Sequence, residues 1–91
     1  MRPHPHEILI CPKANDFLTR QDKDISQRIE TKLIGLRDNP ELGEHLKHSK
    51  YWRLRSGKYR TIYEIAGEKI IAHIIGHRND VYNNFSKFDM R

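Results

Sequence analysis

Apolar residues come in short runs whose period changes along the chain. The run Glu7-Ile8-Leu9-Ile10-Cys11, closed by Pro12, has the pattern of a buried first strand. Phe17 and Leu18 mark a short helix over 13–21. Asp24 suits an N-cap, and behind it Ile25, Ile29, Leu33 and Leu36 repeat at helical spacing. That predicts a second helix over 24–38, stopped by Asn39-Pro40, with one buried stripe and a mixed-charge outer face. Residues 40–50 are polar and read as a loop anchored by Leu42 and Leu46. Three strand-like runs follow at 51–55, 58–65 and 69–77, punctuated by Ser56-Gly57 and Ala66-Gly67. The end, 81–91, carries Phe85 and Phe88 and reads as a short helix or extended flap. No repeat, low-complexity segment or linker interrupts this order. It predicts one α+β domain over 1–91, β-α-α-β-β-β, with an antiparallel sheet packed on two N-terminal helices.

A two-residue turn at Ser56-Gly57 pairs Arg55 with Lys58, Leu54 with Tyr59 and Arg53 with Arg60. Directly opposite residues share a face. Tyr51, Arg53, Arg55, Lys58 and Arg60 then lie on one face, and Trp52, Leu54, Tyr59, Thr61 and Tyr63 on a core-like other. Like charges opposite one another destabilise a sheet, so an anionic ligand is a natural reason for the cluster. A two-residue turn at Ala66-Gly67 adds His73, Ile75 and His77 to the basic face and leaves Ile70, Ala72, Ile74 and Gly76 in the core. One residue of slip reverses that assignment.

Charge sharpens the picture. The 91 residues hold 17 Lys or Arg against 12 Asp or Glu, a net charge of +5. Up to Leu46 there are 7 basic and 8 acidic residues; beyond it there are 10 basic and 4 acidic. Of the Phe, Trp and Tyr residues, only Phe17 precedes Leu46. Basic residues interleaved with aromatics suit phosphate neutralisation and base stacking; a solvated basic face on an aromatic sheet is the plainer reading. No apolar stretch approaches a membrane span, and the apolar run after Met1 is too brief for a signal peptide. The single Cys11 excludes an internal disulfide, which fits a reducing cytoplasm. His4 and His6 read as a disordered terminus.

Among candidate chemistries, metal binding is weak. His73 and His77 on one strand are about 13 Å apart, too far to share an ion. Cys11, at the end of an apolar strand, reads as a buried and inert thiol. No Gly-rich phosphate loop or acidic pair is present, and nothing calls for a cofactor. Arg53, Arg55, Arg60, His77, Arg78 and Tyr82 remain. Cleavage of RNA at phosphorus requires activation of a 2′-hydroxyl, charge stabilisation on the phosphorane and a proton for the leaving 5′-oxygen. Arginine supplies the second and shuttles protons poorly, which leaves His77 or Tyr82 for acid–base work. Tyr82 also suits base stacking, or an ordinary place at a sheet edge.

The stretch Tyr51-Trp52-Arg53-Leu54-Arg55-Ser56-Gly57-Lys58-Tyr59-Arg60-Thr61-Ile62-Tyr63, followed by Gly76-His77-Arg78-Asn79-Asp80-Val81-Tyr82, resembles the RelE/ParE toxin superfamily. The resemblance implies a small RelE-like fold and the toxin of a type II toxin–antitoxin system. In the RelE branch it implies a metal-independent endoribonuclease that cleaves mRNA in the ribosomal A site by 2′-hydroxyl attack. Arg53, Arg55, Arg60, Arg78 and Tyr82 are then catalytic residues, joined by His77 from the acid–base argument; Lys47, Lys50, Tyr51, Lys58 and His73, from the basic half of the chain, are expected to bind RNA. RelE enzymes carry Lys at the first two of these positions; Arg53 and Arg55 depart from that, which shifts proton transfer towards His77 and Tyr82. The implied partners are a RelB-like antitoxin, a 70S-type ribosome with its mRNA, and operator DNA only through the antitoxin, with no membrane. The ParE branch implies a non-enzymatic DNA gyrase inhibitor. An attenuated domain that binds antitoxin as a co-repressor is a third expectation.

Overall fold

A computed structural model describes residues 6–83. Strand β1 (Glu7–Ile10) leads directly into α1 (Pro12–Thr19), then α2 (Lys23–Gly35). Pro12 ends the strand as expected, and also opens the helix. Its fixed φ suits the first helical turn, where a missing N–H costs nothing. The second helix starts earlier than its pattern suggests, with Asp22 rather than Asp24 at the N-cap. A 3₁₀ turn (Pro40–Leu42) follows, then a two-residue strand β2 (Glu44–His45) inside the segment expected to be loop. Strands β3 (Tyr51–Ser56), β4 (Tyr59–Ala66) and β5 (Lys69–His77) complete the order. Among the described residues, no helix is long and apolar enough to cross a membrane. Residues 1–5, with His4, and residues 84–91, with Phe85 and Phe88, lie outside the described residues. His6 is tied down, its N–H donating to the Arg37 carbonyl at 3.0 Å.

The strand order is β1-β5-β4-β3-β2 in one five-stranded sheet. The β3–β4–β5 meander is antiparallel as expected, whereas β1 adds to β5 in parallel and makes the sheet mixed. One face packs on both helices through Ala14, Leu18, Ile29, Leu33, Leu36, Leu54, Tyr63 and their neighbours. The other, open face carries a smaller cluster of Tyr51, Ile62 and Val81, flanked by Leu46 and Ile74.

Both hairpins differ in register from the sequence expectation, for one reason. Gly57 and Gly67 have φ of +62° and +64°, and each is the first residue of its turn rather than the second. Left-handed φ is what glycine supplies cheaply, so its required position sets the turn. Arg55 therefore pairs with Arg60, and Arg53 with Ile62. The slide preserves face parity, so Arg53, Arg55 and Arg60 still share the open face.

The β4–β5 ladder holds a bulge. Tyr63 pairs with Ala72 and Ile62 with Ile74, leaving His73 as the extra residue. Beyond it the faces of β5 exchange. Ile75 joins the helix-side core and Ile74 the open-face cluster, the reverse of the sequence expectation. His77 is corrected with them: its ring meets Tyr59 edge-on at 5.8 Å on the helix-bearing side.

Candidate functional site on the open sheet face

Pairing of Glu44 with Arg53 across the β2–β3 ladder builds the centre of the open face. Gly43 makes that pairing possible, since a Cβ there would lie 2.6 Å from the Arg53 carbonyl oxygen. Arg53 donates from Nη2 to Oε1 of Glu44 and from Nη1 to the Tyr82 hydroxyl at 2.5 Å. The guanidinium also lies 5.8 Å from the Tyr82 ring centroid. Arg53 thus bridges a carboxylate and a phenol. Its hydrogen bond and charge hold the Glu44 carboxyl below the usual carboxylate range, with Arg55 adding to the effect. The same bond from Glu44 raises Arg53 further, fixing it as a cation.

The other arginines are placed differently. Arg60 is buried and donates from Nη1 to the carbonyls of Gly57 and Tyr59, at 2.8 and 3.0 Å. Arg55 is exposed beside it. Arg78 is exposed beyond β5, where its backbone N–H bonds the Lys58 carbonyl and holds that turn against the strand end.

Of the candidate RNA contacts, Lys47 is exposed on the β2–β3 loop and Lys58 on the β3–β4 turn. Lys50 lies 5.5 Å from the Tyr51 ring centroid and 3.8 Å from Oε2 of Glu64. His73 meets Tyr51 edge-on at 5.6 Å. The structure therefore gathers Arg53, Arg55, Arg60, Tyr82, Lys50, Tyr51 and His73 on one face, and sets His77 on the other. The His77 Nδ1 accepts a bond from the Asn79 backbone N–H at 3.1 Å.

Two groups escaped the sequence reading. Glu44 fell in the supposed loop; a hairpin closing over 46–51 would have placed it opposite Arg53. Cys11, expected to be buried and inert, is only half-buried, with its Sγ 3.6 Å from Nδ1 of His73.

Solved structures share this architecture. A RelBE toxin–antitoxin complex from Mycobacterium tuberculosis superposes with a TM-score of 0.74 at 21% identity, over 87% of this chain and 98% of that one. A mutant RelE toxin of E. coli in the free state gives 0.74 at 18% identity, over 91% and 96%. A RelB–RelE complex from Methanococcus jannaschii gives 0.68 at 24% identity, over 85% and 98%. No curated protein sequence matches the chain. Residues 9–82 match the family described as ParE toxin of type II toxin-antitoxin system, parDE. That span takes in both helices, the whole meander and the Arg53–Tyr82 contact, so the chain belongs to this family of type II toxins, within the RelE/ParE toxin superfamily.

Proposed function

We propose that this toxin is a ribosome-dependent endoribonuclease that cleaves mRNA in the A site by 2′-hydroxyl attack. The observation that carries this reading is the Glu44–Arg53–Tyr82 constellation on an open basic face. A surface that only bound phosphate would need the cations; cleavage also needs groups that accept and give a proton. Glu44, held ionised by Arg53, accepts the 2′-hydroxyl proton as that oxygen attacks phosphorus. Its lowered pKa makes it a weak base, so catalysis leans on charge stabilisation by Arg53, Arg55 and Arg60. Tyr82 donates to the leaving 5′-oxygen, or stacks on a base. The cluster supplies each role from side chains, and His77, on the far face, takes none. Arg78, Lys47, Lys50, Tyr51, Lys58 and His73 hold the backbone and bases of the RNA. RelE relatives crystallise with RelB, which supports a RelB-like antitoxin as partner; the reading takes operator DNA binding to run only through that antitoxin.

The family match to ParE toxins favours a second reading, non-enzymatic inhibition of DNA gyrase by the same basic face. Primer extension on a reporter mRNA in a cell-free translation system separates the two. The nuclease reading expects site-specific breaks that arise only when ribosomes are translating and that need no metal beyond what the ribosomes themselves require. Intact mRNA beside gyrase-trapped DNA breaks would replace it with the second.

A further inference from the structure

Cys11, at the junction of β1 with α1, stands in line with His73 on β5 and Glu64 on β4. Besides the Cys11–His73 contact, Nε2 of His73 lies 2.6 Å from Oε1 of Glu64. An ionised carboxylate only accepts, so Nε2 carries the hydrogen and Nδ1 turns a lone pair to the thiol. The order is nucleophile, base and orienting carboxylate, drawn from residues distant in sequence. The bulge gives the arrangement its cause. His73 is the extra residue of β5 at the bulge, and a bulge re-aims the side chain it carries. Access is graded as well: the His73 and Glu64 side chains are 16% and 15% exposed, while Cys11 is half-buried and within reach of solvent. Lys50 beside Glu64 and the net charge of +5 favour an anionic reactant. None of the three residues contacts Arg53, Glu44 or Tyr82 through a hydrogen bond described above, and the inference rests on neither reading of the toxin's target.

We propose that Cys11 is a site of reversible S-thiolation by small disulfides bearing carboxylates, with His73 as its base and Glu64 as a positioning residue. The thiol proton passes to Nδ1 as Sγ attacks one sulfur of the disulfide. A new S–S bond forms and the old one breaks. The departing sulfur leaves with the electron pair as a thiolate and recovers the proton from Nδ1. Cys11 is oxidised, and the leaving half of the disulfide is reduced. The adduct places a bulky anion on the open face, next to Tyr51 and Lys50.

Oxidised glutathione is the probe, with whole-protein mass spectrometry as the readout, because Cys11 is the sole cysteine of the sequence. At pH 7 the native chain should form the mixed disulfide at least about tenfold faster than the same chain unfolded in urea. A folded His73→Gln chain should fall to the unfolded rate, and Glu64→Gln should lie between. Cationic cystamine should lose most of the native advantage. Equal rates in native and unfolded wild-type chain overturn the proposal, even where no variant folds. An unchanged rate in folded His73→Gln overturns it as well.

Discussion

Replacing Tyr63 with Phe tests how the core holds the site in place. Tyr63 is fully buried, donating its hydroxyl proton to the Pro40 carbonyl at 2.6 Å and accepting from the Gly43 N–H at 3.1 Å. These bonds fasten the segment that delivers Glu44 to Arg53. Phe fills nearly the same volume, so the loss is confined to the hydroxyl. Two net hydrogen bonds at about 1 kcal/mol each give a destabilisation of about 2 kcal/mol. For a domain this small, that lowers the melting temperature by roughly 8–16 °C. Burial also pushes the Tyr63 phenol up, against the opposing bond from Gly43. The unfolded chain therefore loses this proton first, near the ordinary phenol value of about 10. The Tyr63 contribution is full below that pH and is lost as pH rises through the folded value. Urea unfolding followed by circular dichroism, at pH 7 and at steps above pH 10, measures both effects. The gap between wild type and Tyr63→Phe should narrow with alkalinity. A gap below about 0.5 kcal/mol at pH 7 that stays flat would refute the tether.

On the proposed nuclease reading, Arg53→Ala should lower ribosome-dependent cleavage by roughly 10²–10³-fold, as expected for one removed charge-stabilising donor, whereas His77→Ala should stay within about twofold. Primer extension reads both. Because Arg53 depresses the Glu44 carboxyl, the Glu44 contribution to stability is present above its ordinary unfolded value and lost as pH falls through the folded one. Thermal unfolding of wild type against Glu44→Gln should show the difference vanish on acidification. Gly43→Ala should disrupt β2, its Cβ meeting backbone, while Gly67→Ala meets nothing within 4 Å and should cost only about 1 kcal/mol for its positive φ. Denaturant midpoints separate the two.

The helical stripe Ile25, Ile29, Leu33 and Leu36 was legible because burial repeats at the helical period, and the three long strands because glycine punctuates them. Their registers were not. Gly57 and Gly67 mark the turns, but which turn position needs positive φ is settled by how the strands twist together. The first hairpin kept its faces despite this, since moving a two-residue turn by one position slides partners by two. In β5 the extra residue at His73 has no glycine or proline to announce it, and it turns His77 to the helix-bearing side of the sheet. The parallel pairing of β1 with β5 likewise depends on the α1–α2 crossover, which local pattern does not encode. That Arg53 and Arg60 share a face was legible from charge and alternation, whereas Tyr82, beyond the last strand, stood out only by its chemistry and its motif. Glu44 was not, because a two-residue strand leaves no periodicity to read.

The like-charged pair Arg55–Arg60 shows how the fold itself accommodates a basic face. Arg60 bends onto the turn carbonyls of Gly57 and Tyr59, so its charge is spent within the fold while Arg55 stays exposed. Arg53 is likewise engaged by Glu44 and Tyr82. The cluster is therefore not held together only by an awaited anion, and Arg60 serves the hairpin as well as any phosphate. Losing bonds from a charged donor costs about 1.5–3 kcal/mol. Arg60→Ala should thus lower the urea midpoint, and Arg55→Ala should leave it nearly unchanged while, on the proposed nuclease reading, weakening RNA binding and its salt dependence. Equal stability of the two variants would mean that the Arg60 contacts are incidental, and would return Arg60 wholly to the ligand.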